Sequence, residues 1–91
     1  MTTDVAHRPE QHRFEVSVDG HSGHLAYAEG GKVLTIVHTE VDPALEGRGL
    51  AGALVRAAVD HARTNGLRVK PTCAYAASYM QRHPELMSTH V

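Results

Sequence analysis

Tryptophan is absent and phenylalanine occurs once, at Phe14. A core built from this chain is therefore aliphatic and thin. Cysteine also occurs once, at Cys73, so no disulfide forms within the chain, and the thiol fits a reducing compartment or a chemical role. No apolar run approaches the roughly 18–20 residues that span a bilayer. The start, Met1-Thr2-Thr3-Asp4, lacks the basic-then-apolar pattern of a secretory signal. The chain thus reads as cytoplasmic, with no membrane partner. Basic residues are not in excess, with 9 Lys and Arg against 10 Asp and Glu. Extended contacts to a phosphate backbone need such an excess, so nucleic acid is not an expected partner. Histidine is plentiful, at eight residues. Yet His21 and His24 have no second pair or cysteine at ligand spacing, and no metal site is expected.

What is present reads as one domain of 91 residues, near the small end of what a single core supports. A monomer or a homodimer is expected, the dimer supplying further burial. Residues 1–11 are polar, contain Pro9 and show no apolar period, so they read as a disordered tail ahead of a domain over residues 12–91. From Arg13 to Val18, Phe14, Val16 and Val18 alternate with polar residues, and Asp19-Gly20 supplies a turn. A second strand over Gly23 to Glu29 ends at Gly30-Gly31, which gives an antiparallel meander. Val33 to Val41 is nearly continuous in β-branched and aliphatic residues, the pattern of a central strand covered on both faces. Asp42-Pro43 ends it.

Leu50, Ala51, Leu54, Val55, Ala58, Val59 and Ala62 then recur at helical spacing, predicting a helix from Gly49 to Thr64 that stops at Asn65-Gly66. Leu67 to Cys73 reads as a strand and Tyr75 to Arg82 as a short helix. The expected fold is α+β: an antiparallel meander leading into a parallel βαβ unit, closed by a short C-terminal helix. Ligands of such sheets bind beyond the carboxyl ends of the parallel strands, here Glu40-Val41 and Thr72-Cys73.

The stretch Glu46-Gly47-Arg48-Gly49-Leu50-Ala51-Gly52 lies between strand and helix. Its glycines let a ligand approach backbone N–H groups at a helix N-terminus, where an anion is favoured. A packing loop is the plainer reading. The loop lacks the Lys-Ser/Thr of a Walker motif, and its glycines stand too far from the strand for a dinucleotide fold.

In these residues the chain resembles the GNAT superfamily of N-acetyltransferases. Their signature for the coenzyme A pyrophosphate is Gln or Arg, two residues, Gly, one residue, then Gly or Ala. Glu46, Gly49 and Ala51 occupy those places, with a carboxylate departing from the pattern at the first. The blocks His38-Thr39-Glu40-Val41, Gly47-Arg48-Gly49-Leu50-Ala51, Pro71-Thr72-Cys73-Ala74-Tyr75, Tyr79 and Arg82-His83-Pro84-Glu85 further resemble a small GNAT-like subfamily with one cleft cysteine and no N-terminal helices roofing the acceptor site.

The resemblance implies acetyl-coenzyme A as cofactor, held by the backbone of Val41, Gly47, Arg48, Gly49, Leu50, Ala51 and Gly52. In that role the Val41 N–H would meet the thioester carbonyl as an oxyanion donor. It also implies Tyr79 as proton donor to the departing thiolate and Cys73 as a cleft residue. As a thiolate Cys73 would carry the acetyl group, and as a thiol it would only line the cleft. Glu40 and His38 stand two apart on the strand, so both face one side, as a base for an amine acceptor requires. Three functions follow: acetyl transfer to an amine by direct attack, non-catalytic binding of coenzyme A, or an interaction domain without cofactor. Nothing in the sequence names the acceptor.

Overall fold

The computed structural model describes residues 5–89. Five strands form one sheet in sequence order: β1 (Ala6–Arg8), β2 (Arg13–Val18), β3 (His21–Gly30), β4 (Val33–Val41) and β5 (Arg68–Pro71). The first four pair antiparallel, and β5 runs parallel to β4. Helix α1 (Leu50–Thr64) makes the crossover between them, and α2 (Ala74–Arg82) follows β5, with a 3-10 segment at Pro84–Thr89 after it. This is the α+β arrangement that the strand and helix periods predict. Among the described residues no helix is long and apolar enough to cross a membrane.

Both hairpins close on two residues with positive φ, Asp19-Gly20 and Gly31-Lys32, the backbone that suits the twist of tight hairpins. Helix α1 ends where Gly66 takes a φ of +69° and Leu67 N–H reaches the Ala62 carbonyl at 2.7 Å. That closes the helix with a left-handed residue that glycine adopts without strain.

Leu54, Val55, Ala58, Val59 and Ala62 of α1 pack against Phe14, Val16, Leu25, Leu34, Ile36 and Val69 of the sheet. Each large aliphatic side chain fully buried in this way contributes about 1.5–3 kcal/mol. Ala76 and Met80 of α2, with Leu86, extend the same core.

Three expectations change. Ala6–Arg8, within the segment that reads as a tail, forms β1 on the edge of the sheet. There His7 stacks on Phe14 at 4.3 Å and meets the Tyr27 hydroxyl at 2.7 Å. Aromatic contact from a lone histidine anchors what periodicity cannot detect in three residues; Met1–Asp4 lie outside the described residues. Secondly, β4 is an interior strand but is covered on one face only. Leu34 and Ile36 are buried, whereas Val37 is 54% exposed. Its run of β-branched residues expresses strand propensity, not two-sided burial. Thirdly, β5 pairs only over Arg68–Pro71, shorter than the apolar pattern of Leu67 to Cys73.

Candidate active site

Along β4, one residue changes the meaning of all that follow it. Tyr27 pairs with Ile36 and Ala26 with His38, so Val37 is an extra residue, a β-bulge. A bulge moves every later side chain to the opposite face. Leu34 and Ile36 point towards the helices, and past the bulge so do Thr39 and Val41, while His38 and Glu40 turn to the uncovered face. The period-two reading puts Glu40 and His38 on the ligand side; the structure puts them behind it.

The bulge coincides with a parting of strands. Pairing of β4 with β5 ends at Ile36 and Pro71. The Thr72 and Cys73 N–H groups both turn to the Ile36 carbonyl, at 3.1 and 3.2 Å, and the Thr72 hydroxyl joins them at 2.8 Å. Beyond that knot the chain leaves the sheet and α2 begins. Asp42 N–H bonds the Ser22 carbonyl across β3 at 2.9 Å, and N–H groups alternate sides along a strand. The N–H groups of Thr39 and Val41 therefore face the opening.

A cleft of about 500 Å³ fills this opening, lined by Thr39, Val41, Leu45, Glu46, Gly47, Gly49, Leu50, Ala51, Tyr75 and Arg82. Asp42, which follows Val41, accepts from the Ala44 N–H at 2.9 Å and from His21 at 3.1 Å. Those contacts, the Ala44 N–H first, hold its carboxyl below the usual range. Gly47 and Gly49 have φ of +83° and +74°, and a Cβ on either would meet nothing within 4 Å. The loop therefore opens onto free space with no side chain over its backbone. Gly49 also caps α1 without a side-chain hydrogen bond, and the first helical bond runs from Ala53 to Gly49. The N–H groups of Leu50, Ala51 and Gly52 thus have no helical acceptor.

The remaining residues singled out from sequence divide. Arg48 turns away to Asp19, at 3.9 Å. Gly52 is a packing position, since a Cβ there would stand 2.6 Å from the Tyr79 ring. Tyr79 is outside the cleft lining; its hydroxyl accepts from Arg56 Nε at 2.9 Å and its ring lies 4.1 Å from that of His83. The tyrosine on the cleft is Tyr75, one turn earlier on α2. Burial, with Tyr79 beside it, raises the Tyr75 hydroxyl above its ordinary pKa, against a smaller opposing effect of Arg82.

Cys73 is half-buried at the N-cap of α2, beside Thr39. Burial acts to raise its pKa. The Ala76 N–H, the Thr39 hydroxyl and the N–H groups of Tyr75 and Thr39 outweigh that and hold the thiol below its ordinary value. The Thr39 hydroxyl is buried and, among the described residues, has no oxygen or nitrogen partner; the sulfur is its neighbour.

Thr39, Tyr75 and Arg82 are site residues that sequence reasoning passes over. Tyr75 and Arg82 stand seven apart, two helical turns, which is the spacing that marks one face of α2. Thr39 becomes visible only once the bulge is known.

The sequence profile of the GCN5-related N-acetyl-transferase family matches residues 13–89. Protein NATD1 of Xenopus tropicalis is 34% identical over 83 residues, covering 88% of this chain and 76% of that protein. Protein NATD1 of Mus musculus is 32% identical over the same span and coverage. Among solved structures, the solution structure of a GCN5-like protein from Staphylococcus aureus is similar with a TM-score of 0.78 at 22% identity, over 97% of this chain and 87% of that one. An acetyltransferase from Trypanosoma brucei is similar with a TM-score of 0.56 at 19% identity, over 82% of this chain and 63% of its own. At these identities the two structures speak for the fold alone.

Proposed function

The chain belongs to the GCN5-related N-acetyltransferase family, and from that premise we propose that it transfers the acetyl group of acetyl-coenzyme A to an amine by direct attack. One observation carries this reading: β4 parts from β5 at Ile36 beside a glycine loop whose backbone is open to a ligand. The residues present fit the cofactor. Gly47, Gly49, Leu50 and Ala51 offer N–H groups and space to a pyrophosphate, as P-loops do for other phosphates. Arg82 adds a cation on the same cleft. Glu46, at the first motif position, adds none, so the backbone and Arg82 carry the phosphate contacts.

When bound, acetyl-coenzyme A supplies an activated thioester. The N–H of Val41 donates to the carbonyl oxygen, where negative charge grows as the amine attacks. Tyr75, a protonated hydroxyl on the same cleft, would donate to the departing thiolate. Amines of the lysine type have a pKa of about 10.4 and arrive protonated. Glu40 and its hydrogen-bonded neighbour His38, 3.3 Å apart, stand on the uncovered sheet face. In this reading the acceptor approaches from that face, and Glu40 removes its proton. The Cys73 sulfur is held by donors from Thr39 and from α2, and direct attack is preferred because the Val41 N–H already supplies an oxyanion donor without a covalent carrier.

Release of coenzyme A, followed by chromatography with a panel of primary amines, tests the proposal. Expected are amine-dependent turnover, a loss of about 10²-fold or more in Glu40→Gln, and a rate within about tenfold of wild type in Cys73→Ala. Binding of coenzyme A without release in any amine would leave a non-catalytic binding module. An acetylated Cys73 formed and consumed at the turnover rate would replace direct attack with a two-step route.

A further inference from the structure

The sheet face turned away from the cleft carries a second cluster. His24 on β3 pairs directly with Glu40 on β4, and His38 shares the Glu40 side of that strand. One donor atom from each of His24, His38 and Glu40 lies within 4.8 Å of the other two. We propose that these three side chains form a binding site for a divalent transition ion of the zinc class.

The distances support it. In a tetrahedral site with metal–ligand bonds of about 2.0–2.2 Å, neighbouring donor atoms stand about 3.3–3.6 Å apart. His38 Nε2 and Glu40 Oε2 are already 3.3 Å apart. The His24 and His38 rings are 5.5 Å apart between centroids; His24 is half-buried while His38 and Glu40 are exposed, so torsions of the two exposed side chains bring the donors together. Adjacent strands of one sheet hold the Cα atoms rigidly, which is what a metal site asks of its scaffold. Two imidazoles and a carboxylate select zinc, nickel, copper or cobalt over magnesium and calcium, which prefer oxygen alone. Three protein ligands leave the fourth position open to water on the uncovered face.

The unfavourable neighbour is Arg13, whose charge acts on His24 against those of Glu40 and Glu15; its Nε stands 3.7 Å from a Glu15 oxygen. Spacing along the chain hides the cluster: the bulge at Val37 is what brings His38 and Glu40 onto the His24 side. Binding stands independently of the acetyl-transfer reading. One consequence rests on that reading: an ion that holds Glu40 blocks its use as a base.

The test is calorimetric titration of zinc chloride into tag-free, chelator-treated full-length protein. Expected is one ion per chain, bound at least tenfold more weakly by His24→Ala and by His38→Ala, and unchanged in His21→Ala. Cobalt should give the visible absorption of a tetrahedral complex. On the wild-type protein, zinc should shift the imidazole NMR signals of His24 and His38 ahead of the other histidines, a readout that needs no variant to fold. Heats equal to dilution, wild-type affinity in both alanine variants, or affinity lost instead in Cys73→Ser would each overturn the proposal.

Discussion

At Cys73 the ionisation of one thiol is decided by its neighbours: burial opposes the thiolate, and donors from α2 and Thr39 favour it. The net direction is downward, so the thiolate forms at a lower pH than in an unstructured peptide. Alkylation by iodoacetamide should reach half its maximal rate below the pH found for a free cysteine. Thr39→Val removes the hydroxyl donor while keeping shape, so its midpoint should move up; an unmoved midpoint would mean that the hydroxyl does not reach the sulfur. Thr39 also shows what a sequence withholds. In unbroken alternation His38 and Glu40 share the side of Leu34 and Ile36, and one extra residue, Val37, reverses the parity. Nothing in Val-His-Thr-Glu-Val distinguishes a bulged strand from a straight one, because a bulge here needs no glycine. Cys73 stands past the end of β5, at the N-cap of α2, and of the two tyrosines on that helix the sequence does not say that Tyr75 lines the cleft.

At the scale of elements, α1 and α2 meet where a glycine takes the place of a side chain. Gly52 admits the Tyr79 ring, which is hemmed in by Arg56, Tyr75 and His83. Two effects compete in Gly52→Ala. Helix propensity favours alanine by about 0.8–1 kcal/mol, while forcing a methyl into filled space costs about 1–3 kcal/mol. The half-buried ring yields only by giving up its contacts with Arg56, Tyr75 and His83, and that loss outweighs the helix gain. Urea denaturation should show a net loss of about 1 kcal/mol in Gly52→Ala. In a Tyr79→Ala background the same change should turn stabilising, by about 0.5–1 kcal/mol; a loss of equal size in both backgrounds would mean that Tyr79 is not what fills the space. The span of α1 was readable, since its apolar period and the Asn65-Gly66 stop are local facts. The double role of its glycines was not, because Gly49 opens onto free space and Gly52 onto a ring, and the sequence writes both with one letter.

Over the whole molecule, a sheet with both helices on one face leaves the other face uncovered among the described residues. The order of strands, the crossover helix and the glycine loop follow from local periodicity, so the half of the molecule that holds the cleft was visible beforehand. The uncovered face was not: the β-branched run of β4 resembles a strand buried on both sides, and β1 is too short to show a period. In the proposed function the division that results, phosphate contacts on the helix side and an acid–base pair on the open side, joins through the gap where β4 leaves β5. That gap as the seat of acetyl-coenzyme A is the central claim. A titration of the isotope-labelled protein with acetyl-coenzyme A, read through backbone amide NMR shifts, tests it most directly. The largest shifts are expected at Thr39, Val41, Gly47, Gly49, Leu50, Ala51 and Tyr75. Saturable shifts confined to β1 and β2, or none at millimolar ligand, would contradict it.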